Sequence, residues 1–289
     1  MTLAATRAGH GPPLLLLHGI GSARADWATL LPHLTPDFDV LAVDLPGHGQ
    51  SPPVPGRPTV GALADAVEAD LDARGLSSVH VYGNSLGGRI ALELARRGRA
   101  RSVVAVAPSG TSVLPERLYQ LTGMAAARLT ARALAPVMPA LSRSRVARSL
   151  LLTGLRAQPW RTTPPELMAI DEGFGGSPDF WRQLFWALLV DVPLGVRSIR
   201  CPVTLGQGLW DPVAPMQTPR FAAVIPGSTF SLLPWSGHAP HSDQPALLAR
   251  LVRETAAAGD RLPVRLAAVD DVGSSATTED PDIATGGAR

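Results

Sequence analysis

Short apolar runs bounded by glycine and proline alternate along the chain with longer segments whose apolar residues lie three or four positions apart. The short runs predict buried β-strands and the longer segments predict amphipathic helices, because the two elements repeat their side-chain directions with different periods. The predicted strands are Leu14–Leu17, Val40–Leu45, Val79–Tyr82, Ser102–Ala107, Val203–Gly206 and Thr229–Leu233, and the predicted helices between the first four are Asp26–Leu34, Val60–Arg74 and Leu86–Arg97. This alternation is typical of an α/β protein with a doubly wound, mostly parallel sheet.

The alternation of strands and helices is interrupted between residues 111 and 196. This region contains only helical patterns, over Leu118–Leu134, Val137–Leu152 and Asp179–Leu189. A connection this long needs structure of its own, so we expect an inserted helical lid over residues 111–196. Residues 1–110 and 197–266 then form the core of the fold. Residues 267–289 are rich in Asp, Gly, Ser, Thr and Ala without apolar periodicity, which predicts a disordered tail.

The string Gly83-Asn84-Ser85-Leu86-Gly87-Gly88 follows a predicted strand and opens a predicted helix. It fits the nucleophile-elbow pattern GxSxG in the strand–turn–helix context that this pattern requires. Such a tight turn holds the serine in a strained backbone conformation and needs glycines beside it, because larger side chains would collide with neighbouring segments. We therefore predict that Ser85 is a nucleophile and that the N–H of Leu86 stabilises developing negative charge.

A serine hydroxyl needs a general base, and the base needs an acid that orients it. In proteins with this elbow the chain order is serine, acid, histidine. Asp211 follows the predicted strand Val203–Gly206 and His238 follows Thr229–Leu233, so both stand at carboxyl ends of strands, where open α/β sheets build their sites. The 27 positions from Asp211 to His238 suit one helix and one strand of a βαβ unit. We predict that Asp211 orients His238, which activates Ser85.

Four further titratable residues compete for the roles of base and acid. His241, three residues beyond the predicted base, stands farther from the strand end. Asp191 comes before its strand begins and Asp243 follows the histidine, so neither fits the expected chain order as well. Asp44 ends the predicted strand Val40–Leu45 and is interpreted as a residue that organises a tight turn.

The string His18-Gly19-Ile20-Gly21 follows the first predicted strand. A tetrahedral intermediate needs a second backbone donor opposite Leu86, and the loop after an early strand supplies it in this architecture. Since the glycines let the backbone turn inward, the N–H of Ile20 is the expected donor. His18 is interpreted as a side chain that bonds neighbouring loops, because one histidine base suffices for this chemistry.

Taken together, these strings resemble the α/β-hydrolase superfamily over about residues 8–110 and 198–258. The motifs that carry the resemblance are His18-Gly19-Ile20-Gly21, Asp44-Leu45-Pro46-Gly47-His48-Gly49-Gln50-Ser51, Gly83-Asn84-Ser85-Leu86-Gly87-Gly88, Asp211-Pro212-Val213-Ala214-Pro215 and Gly237-His238-Ala239-Pro240-His241. More narrowly, the chain resembles the branch that holds meta-cleavage product (C–C bond) hydrolases, enol-lactonases, small esterases and cofactor-free haloperoxidases.

The resemblance implies the same roles for Ser85, Asp211, His238 and the backbone N–H groups of Ile20 and Leu86. Serine at the nucleophile position is unlike the dehalogenases and epoxide hydrolases of the superfamily, which carry aspartate there. The family usually has two more strands before its first motif, whereas few residues precede the first predicted strand here, so the sheet is expected to be shortened at its N-terminal edge.

Two neighbours of the predicted triad bear on the narrower branch. Asn84 resembles the residue that C–C hydrolases carry before the nucleophile, whereas Ala239 replaces the tryptophan that often follows their histidine.

Substrate contacts are expected mainly from the lid. Most of its aromatic residues are Trp160, Phe174, Phe180, Trp181, Phe185 and Trp186. Trp181 and Phe185 share one helical face and are candidates for lining an apolar pocket, with packing of the lid on the core as the alternative. Arg161 and Arg182 are candidates for meeting a substrate carboxylate. Asn84, beside the nucleophile, and Trp210, beside the acid, are further candidates.

We therefore expect a serine hydrolase that cleaves a carboxylic ester, lactone or thioester with an apolar acyl or ring part through an acyl-enzyme. This chemistry needs neither a metal nor an organic cofactor. One alternative is C–C bond hydrolysis of a vinylogous diketone by the same triad. An alternative of another class is a non-catalytic ligand-binding protein with this fold.

Composition narrows these expectations. All 26 basic side chains are arginines, so the chain has no lysine for a Schiff base, a GK[ST] phosphate loop or a Ser-Lys dyad. The net charge is only +2 and arginines occur along the whole chain, so we do not expect a nucleic-acid partner. The single cysteine, Cys201, excludes an intramolecular disulfide and a cysteine-based zinc site.

No apolar stretch reaches the ~18 residues of a membrane helix, and the early run Leu14–Leu17 is too short for a signal peptide. We expect a cytoplasmic enzyme with a small-molecule partner. The sequence leaves the oligomeric state open, and a dimer is compatible with it.

Overall fold

The structure is a computed structural model that describes residues 2–261. Seven strands form a single sheet in the spatial order β1-β3-β2-β4-β5-β6-β7. Their bounds are β1 Ala5–Gly9, β2 Pro13–Leu17, β3 Asp39–Val43, β4 Val79–Asn84, β5 Ala100–Val106, β6 Val203–Gly208 and β7 Thr229–Leu233. All neighbouring strands run parallel except β1, which pairs antiparallel with β3. The predicted mostly parallel sheet is confirmed.

The pattern of apolar residues did not predict β1. Its sequence, Ala-Thr-Arg-Ala-Gly, contains no large apolar side chain, and all five residues are exposed or half-buried. Antiparallel pairing along the edge of β3 holds the strand in place. Within residues 2–261, one strand precedes β2 in the chain, where the family resemblance implies two.

Helices cover both faces of the sheet. Their bounds are α1 Leu31–Leu34, α2 Val60–Ala73, α3 Leu86–Arg96, α4 Leu114–Leu134, α5 Met138–Arg143, α6 Arg145–Leu151, α7 Pro164–Gly176, α8 Phe180–Gln183, α9 Gln217–Val224, α10 Pro240–Asp243 and α11 Pro245–Asp260. Alternate strand residues enter two separate cores: Leu15 and Leu17 pack with α2 and α3, whereas Leu14 and Leu16 pack with α1 and α11. The doubly wound arrangement follows from this alternation.

One predicted helix, Asp26–Leu34, is divided in two. The structure has a 3-10 turn over Arg24–Thr29 and the short helix α1. Pro32 lies in the first turn of α1, where the absence of its N–H costs nothing, but it cannot continue a helix from the preceding turn. The break matters for the site because Asp26, in the 3-10 turn, lies beside the large cavity described below.

Between β5 and β6, which the structure describes throughout, the regular elements are helical. Helices α4 to α8 are followed by a π-helical segment, Leu184–Val190. We call residues 114–190 the helical insertion. It has a small core of its own around Met138, Leu152 and Leu167. None of the helices within residues 2–261 is both long enough and apolar enough to cross a bilayer. The expected disordered tail, 267–289, lies outside the described residues.

Candidate active site

Ser85 lies at the turn between β4 and α3, at the carboxyl end of a central strand. Its backbone angles, φ 55° and ψ −115°, are in a region that non-glycine residues rarely adopt, which costs about 1–3 kcal/mol. Three backbone hydrogen bonds hold this conformation. The N–H of Ser85 donates to Val106 O at 2.8 Å, and its carbonyl accepts from the N–H of Arg89 at 3.1 Å and of Ser109 at 3.2 Å. The turn is thus fixed by its neighbours.

The glycines of the turn are required by close backbone contacts. A Cβ on Gly83 would lie 2.3 Å from Gly87 O, and a Cβ on Gly87 would lie 2.0 Å from Leu17 O. Neither distance is compatible with a side chain, and the blocking atoms are backbone atoms that cannot move aside. The glycine pattern in the sequence therefore reports how closely α3 crosses β4 and β2.

His238 and Asp211 are brought together from the ends of two neighbouring strands. The Nδ1 of His238 lies 3.0 Å from Asp211 Oδ2. With Nδ1 as the donor, the imidazole Nε2 is left as the free base. His238 and Ser85 line the same cavities.

Both partners have shifted pKa values. Burial would raise the pKa of Asp211, but the charge and hydrogen bond of His238 and the N–H groups of Val213 and Ala214 hold it below its ordinary value. Burial would lower the pKa of His238, but the charge and hydrogen bond of Asp211 together outweigh it and raise the pKa. Both shifts stabilise the charged pair, so a proton taken up by His238 is retained more strongly than on a free imidazole.

A buried glutamine that the sequence analysis missed also holds Asp211. Gln207 Nε2 donates to Asp211 Oδ2 at 3.0 Å, and its Oε1 accepts the Thr218 hydroxyl at 2.5 Å. The N–H groups of Val213 and Ala214 reach the other carboxylate oxygen at 2.8 and 3.2 Å. The available signal was a polar residue within β6, in which every residue is buried.

The loop that carries His238 is anchored by two side chains that the sequence suggested for different roles. Asn84 Nδ2 donates to His238 O at 3.0 Å, so this amide positions the histidine backbone, although Asn84 also lines the large cavity. Asp243, which competed with Asp211 for the role of acid, instead accepts the N–H groups of Gly237, Ala157 and Gln158 at 2.9 to 3.1 Å. It ties the histidine loop to the helical insertion.

Asp191 and His241 lie away from the pair formed by Asp211 and His238. Asp191 accepts Val60 N–H at 2.6 Å and lies 3.2 Å from Arg89. His241 is buried against Trp27, and its Nε2 lies 3.7 Å from Asp26 Oδ2.

Asp44 organises a turn, as expected, because it accepts the N–H groups of Arg24 and Gln50 at 2.7 and 3.0 Å.

Two buried histidines shape the loop after β2. His18 Nδ1 donates to Gly19 O at 2.8 Å, and its Nε2 accepts Leu45 N–H at 3.0 Å. His48, which the sequence analysis did not single out, accepts Gly21 N–H on Nε2 at 2.9 Å. Burial, together with the charge of His18, lowers the pKa of His48 to about 3, and burial also lowers the pKa of His18. Both rings are therefore neutral and structural, in line with the interpretation of His18.

The two predicted oxyanion donors flank Ser85. Leu86 is the first residue of α3, so its N–H has no acceptor within the helix. Ile20 follows Gly19, where a Cβ would lie 3.3 Å from Ser85 Cβ. Ile20, Leu86, Ser85 and His238 line one small cavity of about 30 Å³. Both residues therefore lie beside Ser85.

A larger cavity of about 540 Å³ extends from Ser85 and His238 into the helical insertion. Its wall is mainly apolar, with side chains that include Met124, Met138, Leu151, Leu167, Ile170 and Phe174. Two carboxylates, Asp26 and Asp171, also line it, and its described lining residues include no arginine.

The two carboxylates of the cavity differ in their surroundings. Burial would raise the pKa of Asp26, but the nearby His241, the hydrogen bond from the Ser22 hydroxyl and the charge of Arg156 lower it to about 2. Burial raises the pKa of Asp171. The cavity is thus apolar with a negative edge. No cluster of three His, Cys, Asp or Glu side chains within residues 2–261 is arranged to hold a metal ion.

Several residues that were predicted to contact substrate line neither of the two cavities at Ser85. They are Trp181, Arg182, Phe185, Trp210 and Arg161. Trp181 and Phe185 are 42% and 50% exposed, because an adjacent face of their helix, with Phe180 and Leu184, packs inward. Trp181 and Phe185 lie on one side of the helix. The side that packs inward is displaced from theirs by one residue, about 100° around the helix axis. Trp210 is 59% exposed.

The two arginine candidates likewise lie outside the cavities. Arg182 pairs with Asp179 at 2.7 Å and donates to Gly56 O, and Arg161 is exposed. Met124, Ile170 and Phe174, of which only Phe174 was noted as an aromatic of this region, occupy the wall instead.

Known proteins resemble this chain in sequence and in fold. A family model described as the alpha/beta hydrolase fold matches residues 12–245. The pimeloyl-(acyl-carrier protein) methyl ester esterase of Chromobacterium violaceum is 30% identical over 243 residues, which cover 83% of this chain and 92% of that protein. A crystal structure of a hydrolase from Pseudomonas aeruginosa PA01 superimposes with a TM-score of 0.70 at 25% identity, covering 88% of this chain and 93% of the other.

One further relative is a longer protein and matches only part of this chain. A 108-residue stretch is 37% identical to the dihydrolipoyllysine-residue acetyltransferase component of the acetoin cleaving system of Cupriavidus necator. It spans 37% of this chain and only 29% of that protein.

Proposed function

Because the chain belongs to the α/β-hydrolase family, we propose that it is a serine hydrolase that cleaves a carboxylic ester, lactone or thioester through an acyl-enzyme. One observation carries the proposal: a buried Asp211–His238 hydrogen bond of 3.0 Å stands at the cavity that contains the strained serine, Ser85. An aspartate–histidine pair beside a serine is the arrangement that activates a hydroxyl for attack on a carbonyl.

In the proposed reaction the Ser85 hydroxyl attacks the substrate carbonyl carbon while His238 Nε2 takes its proton. The lowered pKa of Asp211 keeps its carboxylate ionised, and this negative charge stabilises the resulting imidazolium. The N–H groups of Leu86 and Ile20 donate to the oxygen of the tetrahedral intermediate. His238 returns the proton to the leaving group, and water then releases the acyl group by the same steps in reverse order.

The large cavity supports a substrate with an apolar part. Apolar side chains from α4, α5, α6 and α7 supply a large part of its wall, and burial of an alkyl or ring group against them is favourable by about 25 cal/mol per Å². An anionic substituent would meet Asp26 and Asp171, and no arginine is among the described residues that line the wall. We therefore propose a neutral or cationic substrate, and propose residues 111–196 as the lid that sets its size.

Two measurements test the proposal. A fluorophosphonate probe should label the wild-type protein at Ser85 and leave a folded Ser85→Ala variant unlabelled. Neutral p-nitrophenyl esters of increasing acyl length should be hydrolysed by the wild type and not by that variant. Absence of labelling in folded wild-type protein would refute the serine-hydrolase assignment. Turnover of a ring-fission dienone with negligible ester hydrolysis would replace ester cleavage by C–C bond cleavage.

A further inference from the structure

Charge is distributed unevenly between residues 111–161, which include the first part of the helical insertion, and the rest of the chain. Residues 111–161 contain eight arginines and one acidic residue, Glu116, whereas the remaining residues contain 18 arginines and 23 acidic residues. The small net charge of +2 therefore combines a strongly basic segment with an acidic remainder. Such a segment is attracted to anionic partners even though the protein as a whole is nearly neutral.

Four exposed arginines of this segment, Arg132, Arg143, Arg145 and Arg161, lack acidic partners among the described residues. Many arginines of the sheet region pair with carboxylates of the chain: Arg97, for example, contacts both Asp65 and Glu68 at 2.6 Å. Arg143, Arg145 and Arg161 are exposed and form no ion pair with any residue in 2–261. Their counter-charges must come from solvent ions or from a bound partner.

Exposed apolar side chains accompany these arginines. Val146 and Leu150, one helical turn apart on α6, are 70% and 73% exposed, and Trp160 is 43% exposed. Helix α6 packs against α5, which ends at Arg143, and against the 3-10 turn Pro159–Arg161. The cations and the exposed apolar side chains thus belong to neighbouring elements of the insertion. We call Arg143, Arg145, Val146, Leu150, Trp160 and Arg161 the docking face.

The docking face adjoins the entrance of the large cavity. Leu150 is part of the face and also lines the cavity that reaches Ser85. Tyr119, 57% exposed, lines the same cavity. An apolar molecule could pass from this face to Ser85 along side chains that are mainly apolar. This continuity favours a partner that is itself a source of apolar molecules.

We propose that the docking face binds an anionic lipid surface. Arginines around exposed aliphatic and indole side chains are the combination that places a protein at the boundary between headgroups and acyl chains. A second copy of this chain is a poorer occupant, because a twofold contact through the face would bring the same unpaired arginines together. A nucleic acid would match the arginines but would leave Val146 and Leu150 against a hydrophilic backbone.

Sedimentation with vesicles tests the proposal independently of hydrolysis. The full-length protein should bind vesicles of phosphatidylcholine mixed with phosphatidylglycerol, bind phosphatidylcholine vesicles weakly, and lose binding as salt is added. The double variant Arg143→Ala/Arg145→Ala should bind the anionic vesicles about 25-fold more weakly, at about fivefold for each arginine. Its hydrolysis of a soluble ester should stay unchanged.

Matched control variants test whether binding depends on the docking face itself or only on the total charge and apolar surface of the protein. Arg197→Ala/Arg200→Ala removes the same charge from exposed positions just before β6, at the opposite end of the strands from Ser85, and should retain binding. Val146→Ser should weaken binding, whereas Val192→Ser, at another exposed valine, should not. Equal binding to both vesicle types, an equal loss in the control double variant, or no binding by folded protein would each overturn the proposal.

Discussion

Gln207 Nε2 and His238 Nδ1 donate to the same oxygen of Asp211, each at 3.0 Å. The carboxylate is thereby held in one orientation from two sides, and its other oxygen is occupied by backbone N–H groups. The orientation of His238, the predicted base, therefore depends also on Gln207, which lies next to the last residue of β6.

Replacement of Gln207 should impair catalysis without removing the triad. Gln207→Leu leaves Asp211 with one hydrogen bond fewer, and a hydrogen bond to a charged group contributes about 1.5–3 kcal/mol. We expect kcat/KM for a neutral ester to fall at least about tenfold. Thr218→Val, which removes only the partner of the Gln207 carbonyl, should have a smaller effect. An equal effect of both variants would contradict a positioning role specific to Gln207.

The activity should depend on the protonation of His238. Its pKa is raised by Asp211, and the base must be neutral to accept the Ser85 proton, so activity is present at high pH and lost as pH falls through this raised pKa. The acid limb of kcat/KM, which reports the free enzyme, should have its midpoint above the ordinary histidine value of about 6.5.

Asp211→Asn provides the control for the pH profile. Loss of the carboxylate charge should move the midpoint to lower pH and reduce kcat by about 10⁴-fold. A wild-type midpoint at or below the ordinary value would show that another group limits the reaction.

Alanine substitutions at two helical glycines should have opposite effects on stability. Gly87→Ala puts a Cβ 2.0 Å from Leu17 O, whereas Gly123→Ala in α4 meets no atom within 4 Å. The first should strongly destabilise or unfold the protein. The second should stabilise it by about 0.5–1 kcal/mol, because glycine disfavours helix interiors. Thermal unfolding followed by circular dichroism measures both, and a stable Gly87→Ala variant would contradict the packing of α3 on β2.

The charge of the large cavity should set substrate preference. Asp171→Asn removes a negative charge from its wall, so kcat/KM for the p-nitrophenyl ester of a dicarboxylic acid should rise about tenfold relative to a neutral ester of equal length. Glu172→Gln removes the same charge from the neighbouring position, which does not line the cavity, and should leave the ratio unchanged. A similar ratio in both variants would exclude Asp171 from the substrate path.

Much of the fold followed from local patterns. Six of the seven strands were recognisable from the sequence without any partner. For β2 to β6 the reason is that a buried parallel strand must be apolar on both faces, whereas β7 is largely exposed. Ser85, Asp211 and His238 were selected by their positions after these strands. Strand β1 was missed because its stability comes from backbone pairing with β3, which leaves no hydrophobic signal.

The residues that line the large cavity could not be predicted from local sequence patterns in the same way. Trp181 and Phe185 were predicted as a helical pair, yet Phe180 and Leu184 occupy the inward face. The amphipathic pattern fails here because all four residues are apolar, so periodicity alone cannot select the buried side. Asn84 was predicted from its position beside Ser85, whereas its amide bonds to the backbone of His238.

The sequence by itself determined the family, the order of strands and helices, and the candidate nucleophile, acid and base, because each depends on local patterns and on glycines that tight turns require. The tertiary structure decided which donors hold Asp211, which helix faces line the cavity, and where unpaired arginines meet exposed apolar side chains. These relationships join residues from distant parts of the chain, and only folding brings their atoms within interaction distance.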